Sequence, residues 1–205
     1  MDRTPSRLTV LDQITASDTV RKKIIDAASA LYVKKGFEET SIQEISEAAG
    51  VSLPVTYHYV KKKSEIMRMI MEDVLKLFQE GLVSEVKGID DPKQKLAAAI
   101  VLYFTVVDQQ REKALLIYQK SDSLDKTSKS RVMHLEVAVS DVFREILEEG
   151  VEKGVFRSVD ADVMAYNIIM MAHMFVLKRW HFKHRLNLEK YIDLQRETIM
   201  NALSK

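Results

Sequence analysis

Tyr57, His58 and Tyr59 stand just before Lys61, Lys62 and Lys63, and Thr40, Ser41 and Gln43 lie a short way upstream. Together they offer hydroxyl and amide donors, an imidazole and a block of cations. That chemistry suits the binding of oxyanions rather than bond-breaking. The chain contains no cysteine, which excludes disulfides, thiolate metal sites and cysteine nucleophiles. It has no Gly-rich phosphate loop and no nucleophile motif. Asp90 and Asp91 are adjacent before Pro92 and read as a helix cap, not as an acid–base pair. His181 and His184 share a helix face but have no carboxylate or cysteine beside them, so neither a metal nor a cofactor is expected.

The net charge of the 205 residues is +1, so a polyanionic partner must be met by a local patch and not by the whole molecule. Hydrophobic residues make up 46% of the chain, enough for a sizeable core. The start, Met1 to Ile14, mixes charged and apolar residues and lacks the apolar stretch of a signal peptide. The apolar run Ala97–Val107 is interrupted by Thr105 and falls well short of the ~20 residues of a membrane span. The expectation is a soluble cytoplasmic protein with no membrane partner.

Glycine and proline are scarce, with 6 and 3 occurrences, and they fall between stretches whose apolar residues recur every three or four positions. An all-α fold follows. The spacing predicts a first helix from about Ser17, capped by Ser17 or Asp18, to Lys35, with a mobile arm before it. A second helix begins at Thr40 or Ser41, since Ser41-x-x-Glu44 and Thr40-x-x-Gln43 both have capping-box spacing, and Gly50 ends it. A very short third helix, about Leu53 to Val60, has Ser52 as its cap and Pro54 at its second position. Ser64 caps a fourth helix over 65–86. Further helices are predicted over about 92–108, 112–120, 129–153, 160–183 and 187–203, with a polar loop at 121–128. The division is expected to be residues 1–63 and residues 64–205, joined through the helix 65–86.

Two short helices around a Gly-containing turn read as helix-turn-helix, a motif that places its second helix in the major groove of DNA. Thr40, Ser41 and Gln43 then lie at a helix N-terminus, where free N–H groups and the dipole favour a phosphate. Tyr57, His58 and Tyr59 supply donors and ring surface, and Lys61 and Lys63 supply cationic charge. Tyr57 can equally be part of the core, and Lys62 can equally be a solvated surface charge.

These residues carry a family resemblance. "AASALYVKKGFEETSIQEISEAAGVS" followed by "YHYVKKKSEI" resembles the N-terminal domain of the TetR family of bacterial transcriptional regulators, over Arg21 to Met71. The resemblance implies an N-terminal three-helix DNA-binding domain with a helix-turn-helix. It also implies a C-terminal helical bundle for ligand binding and dimerisation, and a homodimer on double-stranded operator DNA. By position, it implies DNA contacts from Thr40, Ser41, Gln43, Ser52, Leu53, Val55, Thr56, Tyr57, His58 and Lys63. Leu53, Pro54 and Thr56 depart from the family's usual residues, so the operator sequence does not carry over.

"GVFRSVDADVMAYNII" resembles the family's lead into its dimer-forming helices. A four-helix interface is expected, from Ala165, Ile168, Ile169, Ala172, Phe175 and Val176 in one helix and Ile192, Gln195, Thr198, Ile199 and Ala202 in the last. The family's ligand pocket makes Tyr103, Phe104, Val107, Leu116, Tyr118, Gln119, Met133, Val137, Met170, His173, Met174 and Trp180 candidates for effector contact; aromatic and Met residues at helical spacing are otherwise ordinary core. "LKRWHFKHR" sets Lys178, Arg179, Lys183 and Arg185 around Trp180 and Phe182. It reads either as a solvated helix end or as the mouth of a site for an anionic ligand, resembling family members that sense acyl-CoA thioesters. The resulting expectation is a homodimeric repressor released by a small hydrophobic or acyl-CoA-type effector, with an activator of the same fold, a small helical enzyme or a protein-binding adaptor as alternatives.

Overall fold

The computed structural model describes residues 7–205, with side chains from Thr19 onward. The helices are α1 (Arg7–Lys35), α2 (Ile42–Ala49), α3 (Leu53–Tyr59), α4 (Lys63–Val86), α5 (Pro92–Gln109), α6 (Arg111–Lys120), α7 (Lys126–Glu152), α8 (Ala161–Leu177), α9 (Arg179–Phe182) and α10 (Leu188–Leu203). The described residues contain no strand, as the periodicity requires. None of their helices is long and apolar enough to cross a membrane.

The chain forms two compact units, one running to Ile70 with Ser123–Asp125 added, and one made of Met71–Asp122 and Lys126–Lys205. The division falls inside α4. In the first unit, Ile24, Ile25, Ala28 and Tyr32 of α1 form the expected apolar stripe and are buried with Ile45, Val60, Ile66, Met67 and Ile70. Each such side chain contributes roughly 1.5–3 kcal/mol. That burial must hold α3, because a helix of 7 residues does not stand alone.

Helix α1 departs from expectation. It starts at Arg7, ten residues before Ser17, so Ser17 and Asp18 lie inside the helix and do not cap it. No glycine or proline interrupts residues 7–35, and the favourable helix simply continues through them. The part of the expected mobile arm before residue 7 lies outside the described residues. Helix α4 likewise starts at Lys63, with Ser64 in its first turn. There Glu65 Oε2 accepts the Lys61 N–H at 2.7 Å and ties the residues before the helix to its first turn.

In the second unit, α5 and α8 lie centrally, each packing on the other and on α7 and α10. Tyr103, Phe104, Phe143, Ile168, Phe175 and Tyr191 fill the interior. Asp91, Asp160 and Asn187 cap α5, α8 and α10 as their sequence positions suggest, accepting the N–H groups of Lys93, Val163 and Lys190. Helix α8 stops at Leu177 instead of running on to Lys183. At Lys178 the backbone leaves the helix (φ −111°, ψ 26°) and α9 begins. The break lets Phe182 stack on Phe175, with centroids 6.0 Å apart at 20°, and lets Arg179 reach Asp108 at 2.7 Å.

Candidate functional site

The α2–α3 turn is built by local rules. Ser41 Oγ accepts the Glu44 N–H, and Glu44 Oε2 accepts the Ser41 N–H at 2.9 Å, completing a capping box. Glu44 Oε1 pairs with Lys35 at the end of α1, so one carboxylate locks two helices. Hydrogen bonds from Lys35 and Ser41 hold this carboxyl low, at about 2. Gly50 ends α2 in the left-handed region (φ 64°), a conformation that side chains disfavour. Its N–H and that of Val51 return to the Glu47 and Ser46 carbonyls.

This frame leaves Ser41, Gln43, Ser52, Val55, Tyr57 and His58 exposed, and Leu53 and Tyr59 half-buried. Ser41, Gln43, Leu53, Tyr57 and Lys63 line one open groove. Ser52 occupies the cap position of α3 but makes no side-chain cap bond. Two residues of the expected contact set face inward. Thr40 is 1% exposed and its hydroxyl donates to the Gly36 carbonyl at 2.7 Å. Thr56 is fully buried, and its Oγ1 accepts a hydrogen bond from Ser46 Oγ at 2.8 Å. Both secure the scaffold; Thr40 still borders the open groove, whereas Thr56 offers no surface to a ligand.

The lysines are held by the protein itself. Lys61 Nζ donates to the Tyr57 carbonyl at 2.7 Å, at the C-terminal end of α3. Lys62 pairs with Asp125 at 3.1 Å. Lys63 Nζ donates to the Phe37 and Glu38 carbonyls at 3.0 and 2.9 Å and lies over the Phe37 ring.

The second unit holds a cavity of about 240 Å³. Of the expected ligand residues, Tyr103, Tyr118, Met170 and His173 line it. The others do not. Phe104, Val107 and Leu116 are buried core, with Phe104 packed against Tyr191. Gln119 is exposed. Met133 and Val137 border a separate surface depression on α7, and Met174 borders another on α8. Trp180 is 71% exposed and lies outside the lining, while Arg179 beside it is committed to Asp108, so this stretch is not the mouth of the cavity. Helical spacing gave the buried face of each helix but not which buried residues border empty space. Leu75, Phe78, Ile117, Glu136, Val139, Tyr166 and Ile169 complete the lining and were missed. Glu136, a carboxylate among apolar α7 residues, was the one visible sign.

Five polar side chains, Tyr103, Tyr118, Glu136, Tyr166 and His173, interrupt this apolar wall. Tyr103 Oη and His173 Nε2 lie 2.9 Å apart. Burial lowers the His173 imidazole to about 4, keeping it neutral, and its Nδ1 is buried without a hydrogen-bond partner. Burial raises the Glu136 carboxyl and pushes the Tyr118 phenol to about 12. Burial also raises the Tyr103 phenol well above its ordinary value.

The expected dimer residues also shift. Ala165, Ile168, Ile169, Ala172, Phe175, Val176, Ile192 and Ile199 are buried inside the single chain and have no face to offer a partner. Gln195, Thr198 and Ala202 remain accessible. The exposed apolar side of α8 is instead Val163, Tyr166, Met170 and Met174, spaced by three and four residues. A helix apolar over most of its circumference gives no phase for choosing between its two sides.

Comparison with known proteins agrees with this architecture. The family described as "Bacterial regulatory proteins, tetR family" matches residues 24–70, and "Tetracyclin repressor-like, C-terminal domain" matches residues 89–182. The HTH-type transcriptional regulator HbdR of Aromatoleum sp. (strain CIB) is 28% identical over 173 residues, covering 84% of this chain and 76% of that protein. The TetR family regulator PfmR from Thermus thermophilus superposes with a TM-score of 0.75 at 25% identity, over 89% of this chain and 99% of that one. AibR, solved with isovaleryl coenzyme A and operator DNA, has a TM-score of 0.74 at 23% identity, over 87% of this chain and 97% of that one. With the helix-turn-helix and then the cavity-bearing bundle matching the two models in chain order, the chain belongs to the TetR family of DNA-binding transcriptional regulators.

Proposed function

We propose that this regulator is a homodimeric repressor that holds double-stranded operator DNA through α2 and α3 and releases it when a small effector enters the α5–α8 cavity. The observation that carries the reading is the exposed row Ser41, Gln43, Ser52, Val55, Tyr57 and His58, with half-buried Leu53 among them, on a capped helix-turn-helix. In a groove, Ser41, Gln43, Tyr57 and Tyr59 meet phosphates, while Leu53, Val55 and His58 face base edges. Residues 1–63 act as the head and residues 64–205 as the sensing and dimerising bundle. Two heads in one dimer fix the half-site spacing. The exposed apolar side of α8, with Gln195, Thr198 and Ala202 of α10, is the surface that joins the copies.

The effector is a small hydrophobic molecule or the acyl part of a CoA thioester. AibR carries isovaleryl coenzyme A and operator DNA on a similar fold. The buried Tyr103–His173 pair lines the cavity and serves to read a ligand. Acting on DNA places the protein in the cytoplasm. A gel-shift series on its own upstream region, at several salt concentrations, tests the reading: a discrete complex whose affinity falls steeply with salt is expected. A folded dimer that shifts no upstream fragment would overturn it.

A further inference from the structure

Resting on the α5–α8 cavity as the effector site, we infer that it selects an uncharged, ring-sized ligand carrying a hydroxyl or amide group, which Glu136 and His173 read. Size comes first. An engineered apolar cavity of about 150 Å³ takes up benzene. The present cavity, about 240 Å³, has room for a ring and a short substituent but not for a CoA nucleotide. Leu75, Phe78, Ile117, Val139 and Ile169 supply an apolar wall for that body.

The head group follows from what the wall leaves unsatisfied. His173 is 9% exposed, its Nε2 is occupied by Tyr103, and its Nδ1 has no partner. Buried polar atoms are normally paired, so an orphan on a residue that lines a cavity marks a bond that a ligand can complete when the imidazole turns toward it. Glu136 also borders the cavity, with no cation among the lining residues and no hydrogen bond or ion pair to any described residue. Burial pushes the carboxyl up and the imidazole down, toward the neutral form of each. An anionic ligand would therefore find no counter-charge. A carboxylate only accepts hydrogen bonds and an ammonium only donates them, whereas a hydroxyl or amide does both. A free small molecule or the far end of an acyl thioester could present such a head.

The test titrates the full-length protein with toluene, benzyl alcohol, benzoate and benzylammonium, read by calorimetry and ligand-observed NMR. Benzyl alcohol is expected to bind about tenfold more tightly than either charged probe, and measurably more tightly than toluene. Glu136→Gln offers an uncharged donor and acceptor and should hold the alcohol within about threefold of wild type. Glu136→Leu and His173→Phe should erase the preference for alcohol over toluene, with continued toluene binding showing that the cavity persists. Tightest binding by benzoate or benzylammonium, loss of the alcohol in Glu136→Gln, or no binding by any of the four overturns the inference. Within the supported outcome, competition by 3-hydroxybutyryl-CoA assigns the head to a thioester, and its failure assigns it to a free molecule. Gel shifts on the same preparation separate this inference from the functional reading. An operator complex released by benzoate and not by the alcohol sinks the inference alone; alcohol binding that leaves the operator complex untouched sinks the effector reading alone.

Discussion

Ser46 Oγ donates to Thr56 Oγ1 at 2.8 Å, and this buried contact joins α2 to α3. Thr56 is thereby part of the scaffold behind the exposed row. Ser46 can also donate to the Ile42 carbonyl at 2.8 Å, so removing Thr56 Oγ1 leaves it a partner. Thr56→Val should lower stability by about 1 kcal/mol in urea unfolding. It should leave the ranking of operator variants in a binding-site selection unchanged. A changed ranking would return Thr56 to the base-reading set.

Lys63 ties the α1–α2 loop through two carbonyls, and in the same unit Lys61 covers the end of α3. Lys63→Ala should reduce the slope of log affinity against log salt by about one. It should also cost about 1 kcal/mol of stability through the lost hydrogen bonds. Lys61→Ala should affect the salt slope similarly and stability less. Salt-series gel shifts beside urea melts separate the two effects; an unchanged slope in both variants would confine these lysines to structure.

The buried imidazole gives the bundle a pH signature. In the unfolded chain His173 takes its proton near 6.5, but in the folded chain only near 4. Between these values the unfolded state binds more protons, so stability falls as pH drops from about 6.5 toward about 4. At pH 5 the loss from this group is about 2 kcal/mol. Glu136, raised in the fold, acts in the opposite direction. Comparing wild type with His173→Gln at pH 7.5 and 5 isolates the imidazole. The variant should lose about 2 kcal/mol less on acidification; equal losses would show that His173 is protonated in the fold.

Two glycine-to-alanine substitutions should differ for different reasons. At Gly150 an added Cβ would sit 2.0 Å from the buried Phe156 ring, and this overpacking should cost about 1–3 kcal/mol or more. At Gly50 nothing lies within 4 Å of the added carbon, but the left-handed backbone should cost about 1–2 kcal/mol. Thermal melts check both, and only Gly50→Ala should weaken DNA binding in proportion to its destabilisation of the head.

The proposed dimer surface can be tested on its outward side alone. Val163→Glu and Met174→Glu together place charges on the exposed α8 stripe and leave the buried core untouched. Sedimentation should show at least a tenfold weaker dimer, and operator affinity should fall with it. An unchanged dimer would move the interface elsewhere.

Much of this architecture was legible in the sequence, because local rules wrote it. Ser41-x-x-Glu44, Gly50, Asp91-Pro92, Asp160 and Asn187 fixed helix ends through hydrogen bonds made within a few residues. What stayed hidden depended on tertiary partners. The break at Lys178 brings Phe182 against Tyr191 and Arg179 to Asp108, partners distant in the chain. Thr40 and Thr56 look like surface hydroxyls until their buried acceptors and donors are seen. The cavity is a failure of packing among five helices, and no spacing in one helix announces it.

The prior engagement of Lys61, Lys62 and Lys63 by the protein's own carbonyls and by Asp125 bears on how the regulator searches a chromosome. Lys62, already paired with a carboxylate, adds less counterion release when it touches arbitrary DNA, and with a net charge of +1 the rest of the molecule adds little to that attraction. Every nonspecific stretch of a genome competes for the protein, so weak nonspecific grip leaves more of the cellular pool free. A modest number of molecules can then keep one operator filled.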